Sequence, residues 1–280
     1  MKRIMFLGRG PIAERCLEIL LRGADESYSI AAICSNPTTN VWWKSNKIFM
    51  EANRLCIPFI SNEKRNDDII LASIGSEAVD YLISIQHIWI LPEDALRAVR
   101  YRALNLHNAK LPNYKGYFTI NHAIVNDEST YTSTIHWMAK EVDEGAIAFE
   151  ETLPITRDDT AISLYRKSCD SGVKAFQKLV ECLASDVEPP RLNLNGRGHF
   201  YRKSDLEMLR EINNPADASE VDRKSRGLFF PPFEPAFYRV HGKKIYVLPK
   251  SYTDYVDDNF IRQFDTAQEC SGYIVAPISR

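Results

Sequence analysis

The sequence predicts an α/β protein: a mostly parallel sheet with helices on both faces, followed by a small C-terminal domain containing a β-hairpin. Three observations predict it. Short apolar runs alternate with segments of helical period over the first hundred residues. Glycine and proline mark several of the joins between them. Near residue 190 the composition changes, and two further strand-like runs meet at a His-Gly pair.

Residues 4–7 are an apolar run, followed by Gly8-Arg9-Gly10-Pro11. Residues 12–21 carry Ile12, Cys16, Ile19 and Leu20 on one helical face. Residues 30–34 read as a buried strand, 48–55 as a helix, 58–60 as a third strand and 81–85 as a fourth. Residues 92–99 read as a helix with Pro92 in its first turn, where proline is tolerated. Residues 103–106 are a fifth strand. Alternation of this kind builds a parallel sheet covered by helices. The pattern then changes. In 132–138, Thr132, Thr134, His136 and Met138 face one way and Ser133, Ile135 and Trp137 the other. Residues 146–155 are extended, and 159–183 form a long helix with acids at its start, as the helix dipole favours. Pro189-Pro190 ends it. This divides the chain into 1–187 and 188–280. In the second part, Phe230-Pro231-Pro232-Phe233 leads to strands over 236–240 and 245–248, joined at His241-Gly242. The final thirty residues give no reading.

The bulk properties narrow the function. Apolar residues make up 45% of the 280 and charged residues 26%, an ordinary globular balance with ample core. A net charge of −2 gives no reason to expect a nucleic acid partner. Six scattered cysteines, with no Cys-x-x-Cys pair, read as buried thiols in a reducing compartment. No run has the ~20 apolar residues of a membrane helix, and the N-terminus has no signal-peptide pattern. A cytoplasmic location is expected.

Three segments carry polar residues that chemistry needs. Gly8-Arg9-Gly10-Pro11-Ile12-Ala13 fits the Rossmann-like G-x-G-x-x-A fingerprint between a strand and a helix. The acid expected some 20 residues later is missing; Cys34-Ser35-Asn36-Pro37 stands there. A tight turn, alone or touching another ligand, fits better than a dinucleotide site. Asn105 and His107 point the same way if 103–106 is a strand, at its carboxyl end, where open α/β sheets hold ligands. A satisfied core histidine is the competing reading. Val142-Asp143-Glu144-Gly145 is a turn by its chemistry alone. No Cys/His cluster has zinc spacing, so no metal is expected.

Asn105-x-His107, then Leu111-Pro112, Tyr114-Lys115-Gly116 and the later Asp143-x-Gly145-x-Ile147 together resemble the folate-dependent formyltransferase family over residues 1–185. Asn108, Ala109, Lys110 and Lys115 depart from its pattern. The resemblance implies that 10-formyltetrahydrofolate donates a formyl group to an amine and leaves as tetrahydrofolate. It implies Asn105, His107 and Asp143 as catalytic residues: Asn105 and a protonated His107 as oxyanion donors and Asp143 as proton holder. It implies Gln86, Trp89, Leu91, Ala109, Lys110, Leu111 and Pro112 as the folate-binding residues. The segments 198–206 and 223–236 are similar to those of sugar N-formyltransferases, though the aromatic–proline run also suits a plain hairpin core. The acceptor this implies is a nucleotide-linked amino deoxysugar, dTDP-linked, for surface polysaccharide. Tyr117 and Asn121 are the expected sugar contacts and Arg9 a diphosphate contact. A homodimer through the hairpin is expected. Methionyl-tRNA formyltransferase is the alternative, weakened because residues 191–280 hold 14 basic and 12 acidic side chains. A non-catalytic nucleotide-binding module is the other.

Overall fold

The computed structural model describes residues 1–38 and 42–251, and the backbone of 268–270 and 273–277. The chain packs as two units. The first comprises Met1–Lys115, Thr132–Thr152 and Cys169–His199; the second comprises Gly116–Tyr131, Leu153–Ser168 and Phe200–Arg280.

Most elements of the first unit follow in order: β1 (Lys2–Gly8), α1 (Gly10–Arg22), β2 (Tyr28–Ser35), α2 (Lys47–Arg54), β3 (Phe59–Ser61), α3 (Asp67–Ser76), β4 (Tyr81–Ile85), α4 (Glu93–Ala98) and β5 (Ala103–His107). The short β6 (Lys115–Gly116) and α5 (Thr119–Val125) come next, then β7 (Thr130–Trp137), β8 (Ile147–Pro154) and α6 (Ala161–Ala184). The seven-stranded sheet has the order β3-β2-β1-β4-β5-β7-β8. Strands β1 to β5 are mutually parallel, and β7 pairs antiparallel with β5. This is the α/β architecture expected. The parallel strands read as continuous apolar runs because helices cover both of their faces. Met5, Leu7, Ala32, Cys34 and Leu82 pack with Leu96 and Val99 in one buried cluster.

The order reverses between β1 and β4, the switch point where such sheets bind ligands beyond their carboxyl ends. Gly8 has no room for a side chain, since a Cβ would lie 2.8 Å from the Phe6 ring and 2.9 Å from the Ala13 methyl. The glycine and alanine of the fingerprint thus serve close packing of α1 on β1.

Two helix starts differ from expectation, and one helix was not expected. Pro92 is the N-cap of α4 rather than a residue of its first turn. Asp159 precedes α6 rather than opening it. Thr160 and Ser163 cap that helix reciprocally: Ser163 Oγ accepts from the Thr160 N–H at 2.9 Å, and Thr160 Oγ1 from the Ser163 N–H at 3.3 Å. Burial would raise the Asp159 carboxyl, but the Lys167 ammonium and the Thr156 donors hold it below its usual value. The helix α3 had no signal, because Ile69 and Leu71 face solvent while Ile70 and Ile74 are buried, so no clean stripe forms.

In the second unit, β9 (Phe200–Tyr201), α7 (Lys203–Leu209) and α8 (Ala218–Gly227) precede β10 (Ala236–Val240) and β11 (Lys243–Leu248). The last two form the expected hairpin, with His241 and Gly242 both at positive φ, as a type I′ turn requires. Two strands from the unread final stretch, β12 (Gln268–Cys270) and β13 (Tyr273–Pro277), extend it to a four-stranded sheet. No helix among the described residues is long and apolar enough to cross a membrane.

Candidate active site

The strands β5 and β7 build the centre. Asn105 stands opposite His136, and His107 opposite Thr134. Directly opposed residues of an antiparallel pair share a face. Asn105, His107, Thr134 and His136 therefore line one face at the carboxyl end of β5. The loop 138–146 then returns Asp143 to them. Asp143 takes φ +58°, a left-handed conformation that aspartate tolerates better than most residues. Gly145 lets the loop lie against β7, where a Cβ would sit 1.7 Å from the Trp137 carbonyl oxygen.

The Asp143 carboxylate is 7% exposed and lies between two imidazoles. Its Oδ2 is 3.6 Å from His107 Nδ1 and its Oδ1 3.5 Å from His136 Nε2. The ring nitrogens are assigned by their partners. His136 Nδ1 donates to the Trp137 carbonyl at 2.9 Å, so its Nε2 accepts from Asn105 Nδ2 at 3.1 Å. That bond orients the Asn105 amide and leaves its second N–H for a ligand oxygen. His107 Nε2 donates to the Tyr114 carbonyl at 2.6 Å, so Nδ1 is the nitrogen that faces Asp143. The three residues expected to be catalytic are thus together. One N–H of His107 is held by the backbone.

Sequence reasoning missed His136. Its signal was the polar phase of β7 that it shares with Thr132 and Thr134. Only the pairing with Asn105 gives that phase a meaning.

Residues 2–180 match the family model described as formyl transferase. The chain belongs to the formyl transferase family. GDP-perosamine N-formyltransferase from Brucella melitensis biotype 1 is 27% identical over 254 residues, 88% of this chain and 92% of that one. Methionyl-tRNA formyltransferase from Nitrosomonas eutropha is 26% identical over 281 residues, 98% of this chain and 83% of that one. The fold matches the N-formyltransferase of Helicobacter canadensis, solved with folinic acid and dTDP-3-aminofucose. The TM-score is 0.69 at 19% identity, over the whole of both chains.

The other residues of this formyltransferase's first unit singled out in the sequence have their own partners. Ser84 pairs with Asn105 and Ile85 with Leu106, so Gln86, at φ +54°, emerges beside the end of β5. Trp89 Nε1 donates to the Asn62 carbonyl at 2.9 Å, and Leu91 is buried. Ala109 is buried, and its carbonyl accepts from Thr134 Oγ1 at 2.7 Å. Lys110 is exposed, and its carbonyl accepts from the Tyr114 N–H at 2.9 Å. The Leu111–Pro112 bond is cis, with Leu111 buried. Arg9 N–H donates to the Ile85 carbonyl at 3.2 Å, joining the ends of β1 and β4. With Gly10, Glu14, Ser35, Asn36 and Trp43, Arg9 lines a recess there.

His87 sits within this segment. Burial, with the Arg9 guanidinium adding and Asp67 opposing, pushes its imidazole down from the ordinary 6.5 to about 4. The folded protein leaves His87 unprotonated between those values while the unfolded chain binds a proton. Stability is therefore lost as pH falls from 6.5 to 4, by up to about 3 kcal/mol. In His87→Asn, urea denaturation at pH 7, 5.5 and 4 is expected to show a shallower loss over that window than wild type. An unchanged slope removes His87 from the acid response.

Tyr117 and Asn121 belong to the second unit. Tyr117 is 37% exposed and carries the Lys203 ammonium 4.8 Å from its ring centre. Asn121 is 8% exposed, and its amide donates to the Gly227 carbonyl at 2.8 Å, tying α5 to α8. One N–H of the Asn121 amide is thus engaged within the second unit.

Proposed function

We propose that this formyltransferase moves the formyl group of 10-formyltetrahydrofolate onto the amine of a nucleotide-linked amino deoxysugar, dTDP-linked. The observation that carries the chemistry is the cluster in which Asn105, His107 and His136, on one face of β5 and β7, meet Asp143 from the following loop. Attack of a neutral amine on the formyl carbon creates an oxyanion and a cationic nitrogen. The second Asn105 N–H is the donor for the oxyanion, and His107, with Nε2 on the Tyr114 carbonyl and Nδ1 facing Asp143, holds that carboxylate in place. The Asp143 carboxylate takes the proton from the nitrogen and returns it to the departing tetrahydrofolate nitrogen, so charge balances over the cycle. The apolar Leu91, Ala109 and Leu111, with the exposed Lys110, suit a flat apolar ring system bearing an acidic tail. Gln86, Trp89 and Pro112 complete the proposed folate contacts. Arg9 is the proposed diphosphate contact and Tyr117 a proposed acceptor contact.

The amino sugar is favoured by length: the match covers 92% of the Brucella sugar enzyme but 83% of the Nitrosomonas methionyl-tRNA enzyme. Its named substrate carries GDP, so the base is the finer part of this proposal. We assign catalysis, with the Arg9 and Tyr117 contacts, to 1–187, and further acceptor binding and dimerisation to 188–280. Cytoplasmic synthesis of a formylated sugar for surface polysaccharide is the proposed setting. The test is tetrahydrofolate release against dTDP-, GDP- and UDP-linked 3-amino and 4-amino sugars. Turnover with a dTDP-amino sugar is expected, and turnover with a GDP sugar alone corrects the base. The Nitrosomonas relative keeps methionyl-tRNA as a second reading. Activity on Met-tRNA with a steep loss on adding salt, and none on any sugar, establishes that reading instead.

A further inference from the structure

His107 is held between two acceptors: the Tyr114 carbonyl on Nε2 and the Asp143 carboxylate facing Nδ1. The residue after each acceptor is charged. Lys115 follows Tyr114, Glu144 follows Asp143, and the Lys115 ammonium pairs with the Glu144 carboxylate. Lys115 is 5% exposed, and its ammonium also donates to the Arg197 carbonyl. Its backbone is fixed as well, since the Lys115 N–H meets the His199 carbonyl at 2.9 Å.

We propose that the Lys115–Glu144 ion pair is a positioning clamp, drawing the Tyr114 and Asp143 segments together across the His107 ring. A buried ammonium is costly unless paired. Satisfying Lys115 needs only some acceptor. Pairing it with the neighbour of Asp143 couples the two walls of the histidine. The coupling is needed because neither wall is regular structure at its acceptor: Tyr114 precedes the two-residue β6, and Asp143 is left-handed in a loop. The Asp143–His107 separation of 3.6 Å is slightly longer than a hydrogen bond, so small movements of either wall decide whether it closes. Neither Lys115 nor Glu144 touches a reacting atom in this scheme; both act through His107 and Asp143. The inference rests on the roles given above to those two residues.

The test uses the full chain carrying Glu144→Gln. The Glu144 side chain is 42% exposed, so the variant has room to fold. Expected is a fall in kcat of about tenfold to fiftyfold, with KM for both substrates within about twofold, because misplacement acts on the transition state more than on binding. Glu144→Asp, which keeps the charge, is expected to recover most of the loss. A second readout needs no turnover: in protein labelled with nitrogen-15 at histidine, exchange of the His107 Nε2 proton is expected to be at least about tenfold faster in Glu144→Gln than in wild type. If the wild type formylates no acceptor, the functional proposal fails while this proton-exchange arm still decides the clamp. Unchanged exchange overturns the clamp. So does a kcat loss that follows only the folded fraction.

Discussion

Asp143→Asn is expected to lower turnover by at least about a thousandfold while folate affinity stays within about twofold. The substitution is nearly isosteric, and asparagine also tolerates the left-handed conformation that Asp143 holds at φ +58°. Fold and loop path are therefore expected to persist. What disappears is the charge between His107 and His136. An amide accepts no proton from the attacking nitrogen and stabilises no imidazolium. The amine then loses its proton only to bulk water, and the tetrahedral intermediate reverts. Single-turnover formyl transfer measures the chemical step, and titration with 5-formyltetrahydrofolate measures binding. Turnover within about tenfold of wild type removes Asp143 from the proton-holding role.

Asn105→Ala is expected to cost about 10²–10³ in kcat, the usual effect of removing one preorganised oxyanion donor. The geometry adds a condition. The Asn105 amide is oriented by His136 Nε2 at 3.1 Å, and His136 by the Trp137 carbonyl at 2.9 Å. His136→Gln alone is then expected to lower kcat by a smaller factor. The same change made in Asn105→Ala is expected to have little further effect, because His136 acts through Asn105. A double-mutant cycle on kcat measures this coupling. Additive losses separate the two residues and leave His136 with another task.

The candidate site was partly visible in the sequence. Asn105 and His107 lie two apart on a strand, and the period of two is a local property that puts them on one face. Asp143-x-Gly145 is a turn by its residue types, although the reason for Gly145 is not local: it is the Trp137 carbonyl 1.7 Å from where a Cβ would stand. His136 was read as one more polar residue on an alternating strand. Its meaning comes from standing opposite Asn105, 31 residues earlier. The Lys115–Glu144 pair was hidden for the same reason, its members being 29 residues apart. In the second unit, α8 has Val221 as its sole strongly apolar side chain, so no hydrophobic stripe announces it. Its cap was readable, since Asp217 accepts from the Ser219 and Glu220 N–H groups.

The sequence by itself determined the alternation of strands and helices, the His241-Gly242 hairpin turn and the order of Asn105, His107 and Asp143 along the chain. These follow from side-chain period, backbone preferences and local hydrogen bonding, which act over a few residues. The tertiary structure alone decided which histidine orients Asn105, which nitrogen of His107 faces Asp143, and that Asn121 ties α5 to α8. Those are contacts between segments brought together by strand register and core burial. Register depends on how whole faces pack, and no local pattern encodes it.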